Sequence, residues 1–156
     1  MHRVSNGLST AENKRAHEAL RYVLASTFIL YMKTLSFHWH VSGRNFTSYH
    51  SLMETQYELL FAAIDTLAER IRSIGHVAPG TCTQMLEYSQ LKESEANLDA
   101  ESMLSTLTAD HFYMVKLIRE KIQILNDIND YVSSDILIAR LAEHEKMAWI
   151  LQSHLL

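Results

Sequence analysis

Apolar residues recur every three or four positions along most of the chain, which is the period of an amphipathic α-helix. The first such run follows Ser9-Thr10-Ala11-Glu12. This is a capping box, in which the serine hydroxyl and the glutamate carboxylate satisfy each other's free backbone N–H groups. The run stops at the sequence Ser-Gly-Arg-Asn over 42–45, and its stripe contains Leu20, Leu24, Thr27, Tyr31, Leu35 and His38. The pattern predicts a first long helix between these two signals.

A second helix is predicted from a cap at Thr47 or Ser48 to a stop at Gly75, followed by a Pro-Gly loop over 79–80. Its apolar stripe contains Leu52, Leu60, Ala63, Leu67, Ile71 and Ile74. The long crossover that follows runs to Asp99 and holds a candidate short helix over 83–88.

Two further long helices are predicted beyond the crossover. The third spans 100–126 and ends at a polar break over 127–130. The fourth begins at Ser133 or Ser134 and runs to His154. Four long helices with a single long crossover predict an all-α, ferritin-like four-helix bundle with a short extra helix between helices 2 and 3. The whole chain, 1–156, is predicted to be one domain with a short N-terminal tail over 1–8.

Composition agrees with this fold class and narrows the function. One proline and four glycines in 156 residues are too few for the turns of a β-sandwich or barrel. A single cysteine, Cys82, cannot form an intrachain disulfide. The apolar stretch over 22–32 is too short to span a bilayer, and the N-terminus lacks the apolar run of a signal peptide. We therefore expect a cytoplasmic protein without a membrane segment.

The second helix carries four side chains that can bind a metal on one face. With His50 as the origin and 100° per residue, Glu54 falls at about 40°, Asp65 at about 60° and Glu69 at about 100°. Phe61 lies in the same arc, opposite the apolar stripe. A face that stays in water has little reason to hold a phenylalanine, so this arc is predicted to be covered.

The four side chains cannot bind one ion within a single helix, because Glu54 and Asp65 are about 16 Å apart along its axis. The positions of these four residues along the helix are symmetric, however, about a point between residues 59 and 60. A second copy of the helix, crossing antiparallel at residues 59–60, would place His50 opposite the partner's Glu69 and Glu54 opposite the partner's Asp65. A two-fold dimer has this geometry, and it would form two equivalent sites. His38, at the end of the first helix, could fill a remaining position.

Imidazoles mixed with carboxylates, without a thiolate, favour iron or manganese over structural zinc. No Asp or Glu is followed three residues later by His. The intrachain di-iron site of ordinary ferritin-like bundles is therefore not predicted. The alternative is a charged helix face on which the histidine occurs by chance.

Most of the nine histidines are predicted to have no metal-binding role. Four near chain ends or on polar faces are predicted to be surface residues: His2, His17, His76 and His154. His111 has no acidic companion one turn away. His144-Glu145 begins like a zinc-protease motif, but Ala148 stands where that motif needs its second histidine.

Two sequence blocks resemble the signatures of Dps proteins, the mini-ferritins known as DNA-binding proteins from starved cells. The first is His38-Trp39-His40-Val41-Ser42-Gly43-Arg44-Asn45-Phe46 with His50 and Glu54, and the second is Ile64-Asp65-Thr66-Leu67-Ala68-Glu69-Arg70 running to Gly75. The resemblance implies a hollow shell of twelve subunits, built from two-fold dimers, with a ferroxidase centre at each dimer interface. Such a protein oxidises Fe²⁺, preferably with hydrogen peroxide, and stores ferric mineral inside the shell.

Carried over by position, the resemblance assigns His38, His50 and Glu54 to one subunit and Asp65 and Glu69 to its partner, with at most two irons per site. Two positions depart from the family. Tyr49 stands where the family usually has Leu or Val, and Glu54 stands where it often has Asp. The glutamate reaches one methylene further, which could change occupancy of the second iron position.

Four further residues each have two alternative roles, between which the sequence does not decide. Trp39 is a candidate radical quencher or a packing residue. Asp127, Asp130 and Asp135 are candidates for an acidic iron-entry pore, or for turn and N-cap chemistry.

DNA binding is expected to be weak or absent, because the formal net charge is −4 and only His2 and Arg3 precede Ser9 as basic groups. After the ferroxidase and iron store, the second interpretation of the whole sequence is a DNA-compacting nucleoid protein with secondary iron chemistry. The third is a structural helical oligomer with a degenerate metal face.

Overall fold

The computed structural model describes residues 5–95 and 97–156, so His2 and Arg3 lie outside the described residues. The described chain contains five helices and no strand, which confirms the all-α prediction. The helices are α1 (Thr10–His40), α2 (Phe46–Ser73), α3 (Cys82–Tyr88), α4 (Ala100–Asp127) and α5 (Tyr131–Ser153).

The four long helices form a bundle of two hairpins. Helix α1 packs along α2, α4 packs along α5, and α1 joins the two hairpins through α4. The short helix α3 lies in the crossover, where it packs on α1. The predicted arrangement of a four-helix bundle with a short extra helix in its crossover is therefore confirmed.

The predicted start of the first helix is confirmed in detail. The Ser9 side chain accepts from the Glu12 backbone N–H at 3.2 Å, and the Glu12 carboxylate accepts from the Ser9 backbone N–H at 2.7 Å. This is the predicted capping box. In the crossover, α3 begins at Cys82, one residue before the predicted start, and Thr81, which was not predicted as its cap, accepts from the Gln84 backbone N–H at 3.2 Å.

The predicted starts of α2 and α5 are wrong. Helix α2 begins at Phe46, ahead of Thr47 and Ser48, and its N-cap Asn45 makes no side-chain cap hydrogen bond. Gly43, at φ 109°, turns the chain so that its carbonyl accepts from the Phe46 N–H, and the helix starts directly from that turn.

Helix α5 begins at Tyr131 because Asp130 takes the cap position that was predicted for Ser133 or Ser134. The Asp130 carboxylate accepts from the Ser133 backbone N–H at 3.1 Å and from the Ser133 hydroxyl at 2.6 Å. The Ser134 hydroxyl donates instead to Asn126 at 2.8 Å. Aspartate and serine cap helices about equally well, so the choice depends on the other partners of Asp130, which also pairs with Arg70.

Two partly buried ion pairs connect different helices of the bundle. Lys33, in the last third of α1, donates to Asp110, three turns into α4, at 2.6 Å. Arg70, near the end of α2, donates to Asp130 at the start of α5 at 2.7 Å. Within the described part of the chain, no helix is both long enough and apolar enough to cross a membrane.

Candidate metal centre

The centre of the candidate site is a stacked pair of histidines from two helices. His38 lies in the last turn of α1 and His50 in the second turn of α2, and their rings stack with centroids 3.7 Å apart. The Nδ1–H of His38 donates to the His50 carbonyl at 2.9 Å, and the Nδ1–H of His50 donates to the His38 carbonyl at 2.8 Å. Each residue therefore orients the ring of the other.

These reciprocal bonds also fix the tautomer of both rings. A carbonyl oxygen can only accept, so both Nδ1 atoms carry hydrogen, and in the neutral form of each ring the lone pair is on Nε2. A histidine that donates through one ring nitrogen and offers the other is the arrangement found in metal ligands, because the outer hydrogen bond orients the ring and raises its basicity. The pair fits metal binding without any rearrangement of its protonation.

The predicted acidic ligands lie on the exposed face of α2 and are not gathered around the histidines of their own chain. Glu54, Asp65 and Glu69 are all exposed. Over residues 5–95 and 97–156, no group of three or more His, Cys, Asp or Glu side chains is placed to bind one ion. A single chain thus brings His38 and His50 together but does not gather its own three acidic ligands around them.

Aromatic residues surround the histidine pair, and sequence reasoning missed most of them. The Phe46 ring lies 5.0 Å from His50, and the Tyr57 ring meets His38 edge-on at 5.2 Å. Tyr57 in turn lies beside Tyr31, which contacts Phe61 at 5.7 Å. Positions 46, 57 and 61 all fall within about 40° of His50 on the helical projection of α2, so the same angular count predicts this cluster.

Partial burial, together with the nearby Glu54 and Glu58 carboxylates, raises the pKa of Tyr57. The phenol therefore stays protonated and able to donate a hydrogen bond next to His38 at neutral pH.

The candidate metal-binding face of α2 is apolar as well as charged in a single chain. Phe61 is 62% exposed and Phe46 is 44% exposed, beside the acidic side chains. Isolated apolar side chains on a surface need no explanation, but aromatics gathered on one helix face next to candidate ligands are typical of an interaction surface.

The candidate residues outside this face are placed as follows. Trp39 is 60% exposed and meets only His40 edge-on among the aromatic rings described. Asp130 is buried as the α5 cap and is paired with Arg70, which is the N-cap alternative for this residue. Asp127 accepts from Gln123 at 2.9 Å, and Asp135 is exposed. Quenching by Trp39 and a pore containing Asp127 and Asp135 stay predictions.

The prediction that His17 and His76 are surface residues needs correction. His17 and His76 are not isolated surface residues, because their half-buried rings stack on each other at 4.5 Å. His111 of α4 and His144 of α5 are fully buried, with their Nδ1 atoms 2.9 Å apart. His154 is exposed, as predicted. The two unexpected pairs join residues 59 and 33 positions apart, a distance over which helical periodicity carries no information.

Comparison with known proteins identifies the family. The profile of the ferritin-like domain matches residues 17–156. The DNA protection during starvation protein 2 of Bacillus anthracis is 32% identical over 143 residues, which is 92% of this chain and 98% of that protein.

The structural relatives agree. The crystal structure of a Dps protein from Bacillus brevis superimposes with a TM-score of 0.92 at 31% identity, covering 96% of this chain and 100% of that one. A Dps protein from Vibrio cholerae O1, described as a member of a broad superfamily of ferritin-like diiron-carboxylate proteins, gives a TM-score of 0.93 at 25% identity, covering 100% of this chain and 99% of that one. The chain therefore belongs to the ferritin-like family and, within it, to the Dps proteins.

Proposed function

We propose that this protein is a ferroxidase and iron store that oxidises Fe²⁺ with hydrogen peroxide at a site shared between two subunits. One subunit contributes His38, His50 and Glu54, and its two-fold partner contributes Asp65 and Glu69. The observation that carries the proposal is the reciprocal hydrogen bonding of His38 and His50, which leaves two imidazole lone pairs available beside an exposed face of acidic and aromatic side chains. Membership of a diiron-carboxylate superfamily supports iron as the substrate.

The requirement for two chains follows from distances along α2. Glu54 and Asp65 are separated by eleven residues, or about 16 Å of helix, so one ion cannot contact both. An antiparallel copy of α2 brings the acidic pair of one chain to the histidines of the other and covers Phe46 and Phe61. A two-fold axis repeats the arrangement, so each dimer holds two sites.

The proposed ligands match the chemistry that iron oxidation needs. Carboxylates supply negative charge, which stabilises Fe³⁺ relative to Fe²⁺, while the neutral imidazoles add nitrogen ligands that suit iron. Two Fe²⁺ ions bound at one site each give up one electron. Hydrogen peroxide accepts both electrons and two protons, its O–O bond breaks, and two water molecules form. Because the electrons arrive as a pair, no hydroxyl radical is released.

The proposal is tested by adding Fe²⁺ and then peroxide to the purified, metal-free protein. We expect a rapid rise in ferric absorbance, a consumption of two Fe²⁺ per peroxide, and no hydroxyl-radical adduct with a spin trap. A ferric rise no faster than in buffer alone would contradict the proposal, and so would a strong radical adduct. Measurement of the particle mass on the same sample tests the expected assembly of twelve subunits. Fractionation of producing cells tests the expected cytoplasmic location.

Non-specific DNA binding and compaction, with secondary iron chemistry, is the second candidate function, because relatives in Bacillus anthracis and Brevibacillus brevis are named DNA protection during starvation proteins. The formal charge of −4 per chain works against it, since an assembly of such chains repels phosphates.

We predict weak or no DNA binding near neutral pH. A gel-shift titration with linear duplex DNA at low salt, where electrostatic attraction is strongest, should show no retarded complex at micromolar protein. A basic DNA-binding protein of similar mass serves as the positive control. A tight complex that dissociates as salt rises would favour the nucleoid interpretation.

A further inference from the structure

A second pair of stacked histidines lies at the other end of α1 from the proposed ferroxidase site. His17 stands in the second turn of α1, and His76 follows the end of α2. Their rings are nearly parallel, with an interplanar angle of 6° and centroids 4.5 Å apart, and both side chains are half-buried. Twenty-one residues, or about 32 Å of helix, separate His17 from His38, so the two pairs are independent.

The backbone around His76 is held in place. Its N–H donates to the Ile71 carbonyl at 3.2 Å, and its carbonyl accepts from the Arg72 guanidinium at 2.8 Å. Gly75, at φ 87°, makes the left-handed turn that brings His76 back over α1. The ring of His76 is therefore presented to His17 by a fixed loop.

Both imidazoles are neutral at physiological pH. Burial lowers the pKa of His17, and the neighbouring His76 and Arg21 lower it further. Burial also lowers the pKa of His76. A neutral imidazole keeps one nitrogen lone pair, which is the form that binds a metal.

The charges around the pair are mixed. The Glu18 carboxylate is close enough to favour the charged form of both rings, which partly offsets the lowering of their pKa by burial. The Arg21 guanidinium opposes cation binding, but it is placed over the Tyr88 ring at 4.6 Å and the Tyr22 ring at 5.1 Å. Two half-exposed imidazoles with one carboxylate nearby are a donor set for a borderline divalent cation.

We propose that His17 and His76 form a second metal site, which binds a borderline divalent transition ion such as Zn²⁺ or Cu²⁺. Imidazole suits these ions, and both stand high in the affinity order of first-row divalent metals. Since no described group of three metal-capable side chains includes the pair, the protein supplies two ligands and water completes the coordination. This site is separate from the proposed ferroxidase site and does not depend on it.

The test uses the assembled protein in a background where His50, Asp65 and Glu69 are all alanine, which removes ligands of the proposed interface site. Calorimetric titration with Zn²⁺ at pH 7.5 should show a binding event with one ion per chain. His17→Gln and His76→Gln should each weaken it by at least about tenfold, since loss of even an outer-sphere partner costs that much at metal sites. His154→Gln, which removes an exposed histidine, should leave it unchanged.

A second readout is the electron paramagnetic resonance spectrum of bound Cu²⁺, which should show coupling to two nitrogens and lose it in His17→Gln. An unchanged Zn²⁺ isotherm in both glutamine variants, at unchanged particle mass, would overturn the proposal. In the otherwise wild-type chain, the two variants should keep the rapid ferric rise. Failure of the second site and failure of the ferroxidase are therefore distinguished.

Discussion

The variant Asp65→Ala/Glu69→Ala should lose the rapid ferric rise by a factor on the order of 100 or more. Substitution of residues that only orient a metal ligand costs about 10- to 100-fold, and removal of two direct ligands costs at least as much. Both carboxylates are exposed in the single chain, so the substitutions leave no buried group unpaired and the fold should persist. Stopped-flow absorbance after addition of Fe²⁺ and peroxide measures the effect.

The matched control is Glu101→Ala/Glu120→Ala, which removes two exposed carboxylates from α4 and changes the net charge equally. This control should oxidise iron at the wild-type rate. If iron oxidation slows equally in both double variants, general electrostatic attraction of Fe²⁺ explains the loss. If it slows in neither variant, the acidic half of the site is assigned to the wrong residues.

Lowering the pH from 7 to 5 should destabilise the protein by about 2 kcal/mol through His111 alone. Burial, with a smaller contribution from Arg140, lowers the pKa of His111 to about 3 from its ordinary value of 6.5. The unfolded chain therefore takes up a proton between these values and the folded chain does not. The stabilisation is complete above pH 6.5 and is lost progressively as the pH falls toward 3, where the total loss is roughly 5 kcal/mol.

His144 adds to this effect in the same direction. Burial lowers its pKa well below the ordinary value, with His111 and Arg140 contributing. In the Nδ1–Nδ1 hydrogen bond one histidine donates and the other accepts, so protonation of the accepting ring removes the bond. The free energy of unfolding is measured by urea denaturation at pH 7 and pH 5, at one protein concentration because assembly contributes to apparent stability.

The control for this prediction removes both titratable groups. His111→Leu/His144→Leu leaves no unpaired partner and roughly conserves volume, so its cost at pH 7 is small. Its loss of stability between pH 7 and pH 5 should be at least about 2 kcal/mol smaller than that of the wild type. If the leucine variant does not fold, His111→Gln/His144→Gln provides a polar pair that does not titrate. An unchanged pH dependence in the substituted protein would contradict the assignment.

Helical periodicity predicted the four long helices and the crossover helix because each depends on contacts within a few turns of chain. The capping box at Ser9 was predictable for the same reason. The starts of α2 and α5 were not predicted correctly. Three polar residues near position 130 can all cap a helix, and the choice of Asp130 depends on its pairing with Arg70, 60 residues earlier.

The candidate site likewise has features that follow from the sequence and features that depend on how distant parts of the chain pack. His50, Glu54, Asp65 and Glu69 lie on one helix, so their shared face and their axial separation follow from the sequence. The reciprocal bonds between His38 and His50 depend on how the turn after α1 brings α2 back, and spacing alone cannot supply that. The buried pair of His111 and His144 could not be predicted from the sequence, because the two residues meet only when α4 packs on α5.

The most direct test of the shared site combines two inactive proteins. Chains with His50→Ala/Glu54→Ala and chains with Asp65→Ala/Glu69→Ala should each be inactive alone. When they are co-assembled, every mixed dimer regains one complete site from the intact histidines of one chain and the intact acids of the other. Random pairing then predicts about a quarter of the wild-type rate, because half of the dimers are mixed and each has one of its two sites restored. A mixture that contains mixed dimers by native mass spectrometry, yet oxidises Fe²⁺ no faster than its two components, would contradict a site shared between subunits.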